Sequence, residues 1–257
     1  MMMHGVCAVY KPRGMTSAKT VAIIKRILRT HQKEALAAAQ QPPNAENEHT
    51  SAPPKRLKVG HGGTLDRLAE GVLVIGVGHG CKHLKHFLGG TKEYVVTAEL
   101  GKETDTYDMD GAVTARSPFQ HISLAQTLSA LHQFRGQFMQ TPPLFSALKI
   151  HGKRLSDYTR AGVHVEPRAR LVHVTQLDLC YFAPPEVTLH IACKSGLYVR
   201  SLVHDLGTAL DSHASVTTLI RTRVNNFGLL DALQPDNWTP QHFERAFRRY
   251  PLSFAKD

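Results

Sequence analysis

Apolar and polar positions change period once along the first thirty residues. Val6-Cys7-Ala8-Val9-Tyr10 is an unbroken apolar run that predicts a short strand, closed by Lys11-Pro12-Arg13-Gly14. Thr16 or Ser17 then supplies a cap, and Val21, Ile24, Ile27 and Leu28 share one face of a helix predicted through Leu28. From His31 to Arg56 the periodicity gives way to Ala-, Pro- and polar-rich sequence, including Ala37-Ala38-Ala39-Gln40-Gln41-Pro42-Pro43. The hydrophobic pattern resumes at once afterwards, so residues 31–56 are expected to form a flexible insertion, not a domain boundary.

Beyond the insertion, Val72 to Val77 reads as a buried strand and Tyr94 to Leu100 alternates like a half-buried one. Ser123 to Phe134 carries a helical repeat at Leu124, Leu128 and Leu131, with Gly136 as a stop. Leu171 to Phe182 and Val187 to Cys193 read as two strands joined across Ala183-Pro184-Pro185. Leu202 to Leu210 and Thr239 to Arg249 read as helices. Strands and helices are mixed, with at least two hairpins and no steady βαβ alternation, which favours the α+β class.

Composition adds a partner class. The 257 residues are enough for one large domain, or one domain with a small appendage, and a substantial core. A formal charge of +10 suits a polyanion, most simply nucleic acid. Cys7, Cys81, Cys180 and Cys193 form no C-x-x-C pair, so neither a zinc ribbon nor a disulfide framework is indicated and a reducing compartment follows. The sixteen histidines are scattered, without H-E-x-x-H. No apolar stretch is long enough for a membrane span, and no secretory h-region follows Met1.

The most informative stretch runs from Gly60 to Leu73, where Asp66 follows the glycine-rich His61-Gly62-Gly63-Thr64-Leu65 and precedes the buried strand. Small flexible backbone there lets a bulky ligand approach, and a strand is a rigid support. Taken alone, Asp66 reads equally as a solvated carboxylate at a loop tip. Four other segments look specialised: Lys92-Glu93-Tyr94, the Thr104-Asp105-Thr106 and Asp108 loop before Gly111, Gln140 to Lys149, and Ser195 to Ser201. If extended, Tyr198 and Arg200 point the same way. An arginine beside a buried Asp would keep it ionised, and tyrosines can stack on an unpaired base. Gly76-Val77-Gly78-His79-Gly80 lacks the Lys-Ser/Thr of a phosphate loop, and Ser146 and Ser201 lack a nucleophile elbow.

Together these segments resemble the TruB family of pseudouridine synthases, in the right order from about Val6 to Phe227. The matching pieces are Tyr10-Lys11-Pro12-x-Gly14-x-Thr16-Ser17, Gly60 through Leu73, Lys92-x-Tyr94, Leu100 to Gly111, Gln140-x-Pro142-Pro143-x-x-Ser146-Ala147-x-Lys149, Gly196-x-Tyr198-Val199-Arg200-Ser201 and Leu219-x-Arg221-Thr222. His61-Gly62-Gly63-Thr64-Leu65-Asp66 looks like the eukaryotic branch. The resemblance implies a pseudouridine synthase fold, with a mixed, largely antiparallel central sheet flanked by helices and loops.

It also implies isomerisation of the T-loop uridine of tRNA, with no metal and no cofactor. Asp66 is then the catalytic aspartate, acting as nucleophile on the sugar or as base at its C2′ position. Tyr94 stacks on the flipped base, Tyr198 and Leu219 complete the uridine pocket, His61 lies near the splayed nucleotides, and Arg200 offsets the cost of burying Asp66. Lys11 and Pro12-x-Gly14 are structural supports. Arg67 stands where many members have Pro, Glu70 where Thr, Ser or Arg is usual, and Asn225 where Gly is common.

The expected organisation is a single catalytic domain over 1–257 without a C-terminal PUA domain, acting as a monomer on the tRNA T-arm and on T-loop-like hairpins in messenger RNA. The expected location is intracellular, in nucleus or mitochondrion. The competing readings are a guide-RNA-dependent pseudouridine synthase and a non-catalytic T-arm-binding RNA chaperone.

Overall fold

The computed structural model describes residues 3–39 and 57–249. The chain divides into two compact units. The first is built from residues 1–67, 71–88 and 229–257, the second from 68–70 and 89–228.

The first unit opens with strand β1 (Gly5–Lys11) and helix α1 (Ser17–Ala39). Thr16 caps α1, its Oγ1 accepting from the Lys19 N–H at 3.1 Å. The helix continues past Leu28 to Ala39, so residues 31–39 are helical and do not belong to a flexible insertion. Gln32-Lys33-Glu34-Ala35-Leu36-Ala37-Ala38 are all strong helix formers, and propensity carries the helix on where its apolar stripe has ended. The rest of the expected insertion, 40–56, lies outside the described residues. Strands β2 (Val59–His61) and β3 (Glu70–Val77) follow, then helix α2 (Leu84–Gly89). β3 runs antiparallel to β1 from Gly5 opposite Val77 to Lys11 opposite Gly71, and β2 lies on its other side.

The second unit begins its main sheet with β4 (Lys92–Leu100), followed by the hairpin β5 (Lys102–Thr104) and β6 (Val113–Arg116). Helix α3 (Leu124–Leu131) carries the capping box of Ser123 and Gln126, then β7 (Gly136–Gln140), the small hairpin β8 (Lys149–Ile150) and β9 (Lys153–Arg154), and α4 (Leu155–Arg160). Then come β10 (Arg170–Ala183), β11 (Glu186–Cys193), α5 (Val199–Ala209), β12 (Ala214–Val224) and the short β13 (Phe227–Gly228). The main sheet has the order β12-β4-β11-β10-β7, every pair antiparallel. Val96, Ala98, Leu100, Leu189, Ile191 and Val216 are buried in the sheet, and α5 buries Leu202, Val203 and Leu206. Burying each such side chain contributes about 1.5–3 kcal/mol.

The chain then returns to the first unit with β14 (Ala232–Leu233), parallel to β1, and α6 (Pro240–Arg249). Phe243 and Phe247 of α6 are buried, and Phe247 covers Gly5 so closely that a β-carbon there would collide with the ring. Among the described residues no helix is long and apolar enough to cross a membrane.

Candidate active site

In the first unit the backbone around Asp66 is tied on both sides. Ser17 Oγ accepts from the Leu65 N–H at 2.8 Å and donates to the Leu65 carbonyl at 2.9 Å, so one buried hydroxyl satisfies both groups of that peptide. The Gly14 N–H donates to the Arg67 carbonyl at 2.8 Å, from a turn whose Gly14 has φ +80°. That turn is stiffened by Lys11, whose buried ammonium donates to the Pro12 carbonyl at 2.9 Å and to the Met15 carbonyl. The Lys11-Pro12-x-Gly14-x-Thr16-Ser17 segment is therefore the brace for residues 65–67. Asp66 itself is half-buried.

The glycines before it serve close packing. A β-carbon on Gly62 would stand 2.7 Å from Cβ of Phe87 on α2, and the Gly62 N–H donates to the Val74 carbonyl at 2.8 Å. His61 is half-buried at the end of β2, opposite Ile75.

Tyr94, Tyr198, Arg200 and Leu219 belong to the second unit. Tyr94 lies opposite Arg221 and Leu219 opposite Val96 across the β4–β12 pair. Residues directly opposite in an antiparallel pair share a face, so Tyr94, Leu219 and Arg221 stand together. Lys92 shares that face two residues before Tyr94. Burial, with the Arg221 guanidinium beside it, lowers the Lys92 ammonium from 10.5 to about 8, while Cys193 pulls the other way. The amine donates to the Gly90 carbonyl at 2.7 Å.

Below about pH 8 Lys92 is protonated folded and unfolded, and the fold bears the full cost of the buried charge. Between about 8 and 10.5 only the unfolded amine keeps its proton, so stability rises with pH there. The melting temperature of the wild type relative to Lys92→Met should therefore climb from pH 8 to 10. A difference flat across that range would refute the burial of a charged amine.

Tyr198 and Arg200 do not extend side by side. Tyr198 is the extended residue that caps α5 (φ −102°, ψ 106°), and Arg200 lies in the first helical turn, so the alternation of a strand does not apply to them. Gln140 fixes the cap: its Nε2 donates to the Tyr198 carbonyl at 3.1 Å and its Oε1 accepts from the Tyr198 N–H at 2.9 Å. Ser201 Oγ donates to the Thr141 carbonyl at 2.9 Å.

Arg200 is buried and held from two loops. Nη1 donates to the Thr106 carbonyl at 2.6 Å, Nη2 to the Phe145 carbonyl at 2.9 Å, and Nε lies 3.6 Å from Asp108 Oδ2. Asp108 is buried too, and its Oδ1 accepts from Thr106 Oγ1 at 2.7 Å and the Asp110 N–H at 3.0 Å. The loops of residues 104–111 and 140–149 thus converge on the start of α5.

Sequence reasoning gave no site role to Asp108, Lys92 or Arg221. The last two carry a readable signal: each is a cation in phase with the apolar positions of its strand, Lys92 with Tyr94 and Val96, Arg221 with Leu219. Asp108 carries no such signal, because its cationic partner, Arg200, comes from far along the chain. Among the described residues no group of three or more His, Cys, Asp or Glu side chains could hold a metal ion.

Comparison with known proteins decides the family. Residues 52–199 match the model of the TruB family pseudouridylate synthase, N-terminal domain. The pseudouridylate synthase TRUB1 of Mus musculus is 44% identical over 251 residues, covering 97% of this chain and 71% of that protein. The chain belongs to the TruB family. A further TruB relative, the tRNA pseudouridine synthase B of Phocaeicola vulgatus, is 40% identical over 184 residues, covering 72% of this chain and 78% of that one. The TruB fold is seen again in a solved archaeal box H/ACA sRNP Nop10-Cbf5 complex, with a TM-score of 0.64 at 22% identity, covering 99% of this chain. This chain spans 61% of the chain matched there. That agrees with the α+β, largely antiparallel architecture read from the sequence.

Proposed function

We propose that this chain isomerises uridine to pseudouridine in tRNA, at the T-loop uridine, with Asp66 as the reacting carboxylate. The bond from C1′ to N1 breaks, the base turns, and a bond from C1′ to C5 forms. C5 loses its proton and N1 gains one, so the atoms balance with no redox partner or group donor. Asp66 either adds to the sugar carbon or takes the C2′ proton, and both routes start from the ionised carboxylate.

The observation that carries this reading is the brace on residues 65–67. Both backbone groups of Leu65 bind Ser17 and the Arg67 carbonyl binds Gly14, so the main chain that carries the carboxylate is held on both sides. Tyr94 supplies the stacking plate, Tyr198 and Leu219 the walls for the flipped base, His61 a contact to the splayed loop nucleotides, and Arg200 the cation of the site. A messenger RNA hairpin with the same loop would present the same uridine.

Identities of 44% and 40% to proteins named TRUB1 and tRNA pseudouridine synthase B favour a stand-alone enzyme over a guide-dependent one. The test is a bare T-arm transcript carrying uridine tritiated at C5. The chain alone should release tritium to water without any guide RNA. Release only after a guide RNA is added would place it in the guide-dependent branch, and tight binding without release would make it a chaperone.

A further inference from the structure

Tyr107 sits between two of the residues that hold Arg200, and its own backbone is in the left-handed region at φ 60°. An aromatic residue adopts that conformation only where the surroundings compensate for it. Thr106, on one side, gives its carbonyl to Arg200 Nη1 at 2.6 Å, and Asp108, on the other, sets Oδ2 3.6 Å from Nε. The Tyr107 ring stacks on His204, with centroids 3.9 Å apart and planes 13° apart. His204 stands one turn after Arg200 on the same face of α5. One three-residue stretch therefore grips two successive turns of one helix, by polar contacts at Arg200 and by ring stacking at His204.

His204 also faces Glu103. Its Nδ1 lies 3.5 Å from Glu103 Oε2, the same oxygen that His213 Nδ1 approaches at 3.4 Å, and Glu103 Oε1 accepts from Thr114 Oγ1 at 2.8 Å. The main chain of the loop is pinned to β12, where Val216 donates to the Tyr107 carbonyl and Met109 donates to the Val216 carbonyl, both at 3.0 Å.

We propose that the Tyr107–His204 stack is the positioning device that presents Arg200 in a single orientation. The proposal rests on the reading of Arg200 as the cation of the site. Loss of the stack removes the side-chain hold on left-handed residue 107, leaving its N–H bond to the Thr104 carbonyl and its carbonyl bond from the Val216 N–H, both 3.0 Å. Its relaxation would turn the 106 carbonyl and the 108 carboxylate, the two acceptors that aim Nη1 and Nε. Burial supports the pairing electrically: it lowers the His204 imidazole, with Glu103 opposing and His213 adding to the effect, and it raises the Tyr107 phenol, with Glu103 and Asp205 adding. The stacked rings are therefore both neutral at neutral pH.

Tyr107→Gly separates the two roles the residue could have. Glycine adopts φ 60° freely, so relief of backbone strain alone would leave turnover intact. With the stack as the device, Tyr107→Gly lowers kcat on the T-arm transcript about tenfold at a temperature where the variant is folded, with KM within about twofold of wild type. Tyr107→Phe, which keeps the ring, restores the wild-type kcat. Wild-type turnover by Tyr107→Gly, or failure of Tyr107→Phe to rescue, overturns the proposal. Arg200→Lys is measured alongside. If it is impaired while Tyr107→Gly is not, only the positioning role fails. If Arg200→Lys is as active as wild type, the assignment of Arg200 fails and the device with it.

Discussion

Asp66→Asn turns over the T-arm transcript at least about 10⁴-fold more slowly than wild type and still binds it within about threefold. The substitution is nearly isosteric. The main chain on both sides of residue 66 is bonded through its neighbours: Ser17 Oγ to both backbone groups of Leu65, and the Gly14 N–H to the Arg67 carbonyl. The variant should therefore keep the main-chain bonds of the loop and present an amide where the wild type presents a carboxylate. An amide neither attacks the sugar carbon nor accepts the C2′ proton at a useful rate, so both routes close together. Tritium release and filter binding on the same RNA read the two quantities. Turnover by Asp66→Asn near the wild-type rate would remove the carboxylate from the mechanism.

The largest effect on stability is expected at Asp108. Both it and Arg200 are 4% exposed. Asp108→Ala leaves the guanidinium without this carboxylate and removes the acceptor used by Thr106 Oγ1 and the Asp110 N–H. Breaking a buried pair from one side costs about 3–5 kcal/mol, because the remaining charge stays desolvated. Asp108→Asn keeps an oxygen for the two neutral donors and should lose distinctly less. Urea unfolding of the two variants gives both numbers. Equal losses would mean that the charge, not the hydrogen bonds, carries the stabilisation.

Elements that obey a simple period were legible. Tyr94–Leu100 and the paired strands on either side of Pro184-Pro185 appear where their patterns put them, and the helix expected from Ser123 to Phe134 is α-helical from Leu124 to Leu131 and 3-10 from His132 to Phe134. Strand β12 was not read, although it stands next to β4 in the sheet. Its three threonines and two arginines blur the alternation, and two irregularities, between Val216 and Thr218 and between Arg221 and Arg223, shift the phase along it. Helix α1 was cut short for the opposite reason: its second half has propensity but no stripe.

The same contrast holds at the site. Gly14, Ser17 and the glycines before Asp66 were visible as a motif, because loop chemistry is written in residue type. That the buried carboxylate partner of Arg200 is Asp108 depends on contacts between segments 92 residues apart, which no local pattern carries.

The first unit takes residues from both extremes of the chain, with β1 flanked by β14 and covered by Phe243 and Phe247. On a ribosome, its opening strand waits for some two hundred later residues before its last sheet neighbour emerges. The second unit, continuous over 89–228, has all of its main sheet by then. The braced aspartate is thus encoded early and housed late. Mutations in α6, remote in sequence from residue 66, should show themselves first as poor yield of active enzyme, with little change in how each active molecule performs.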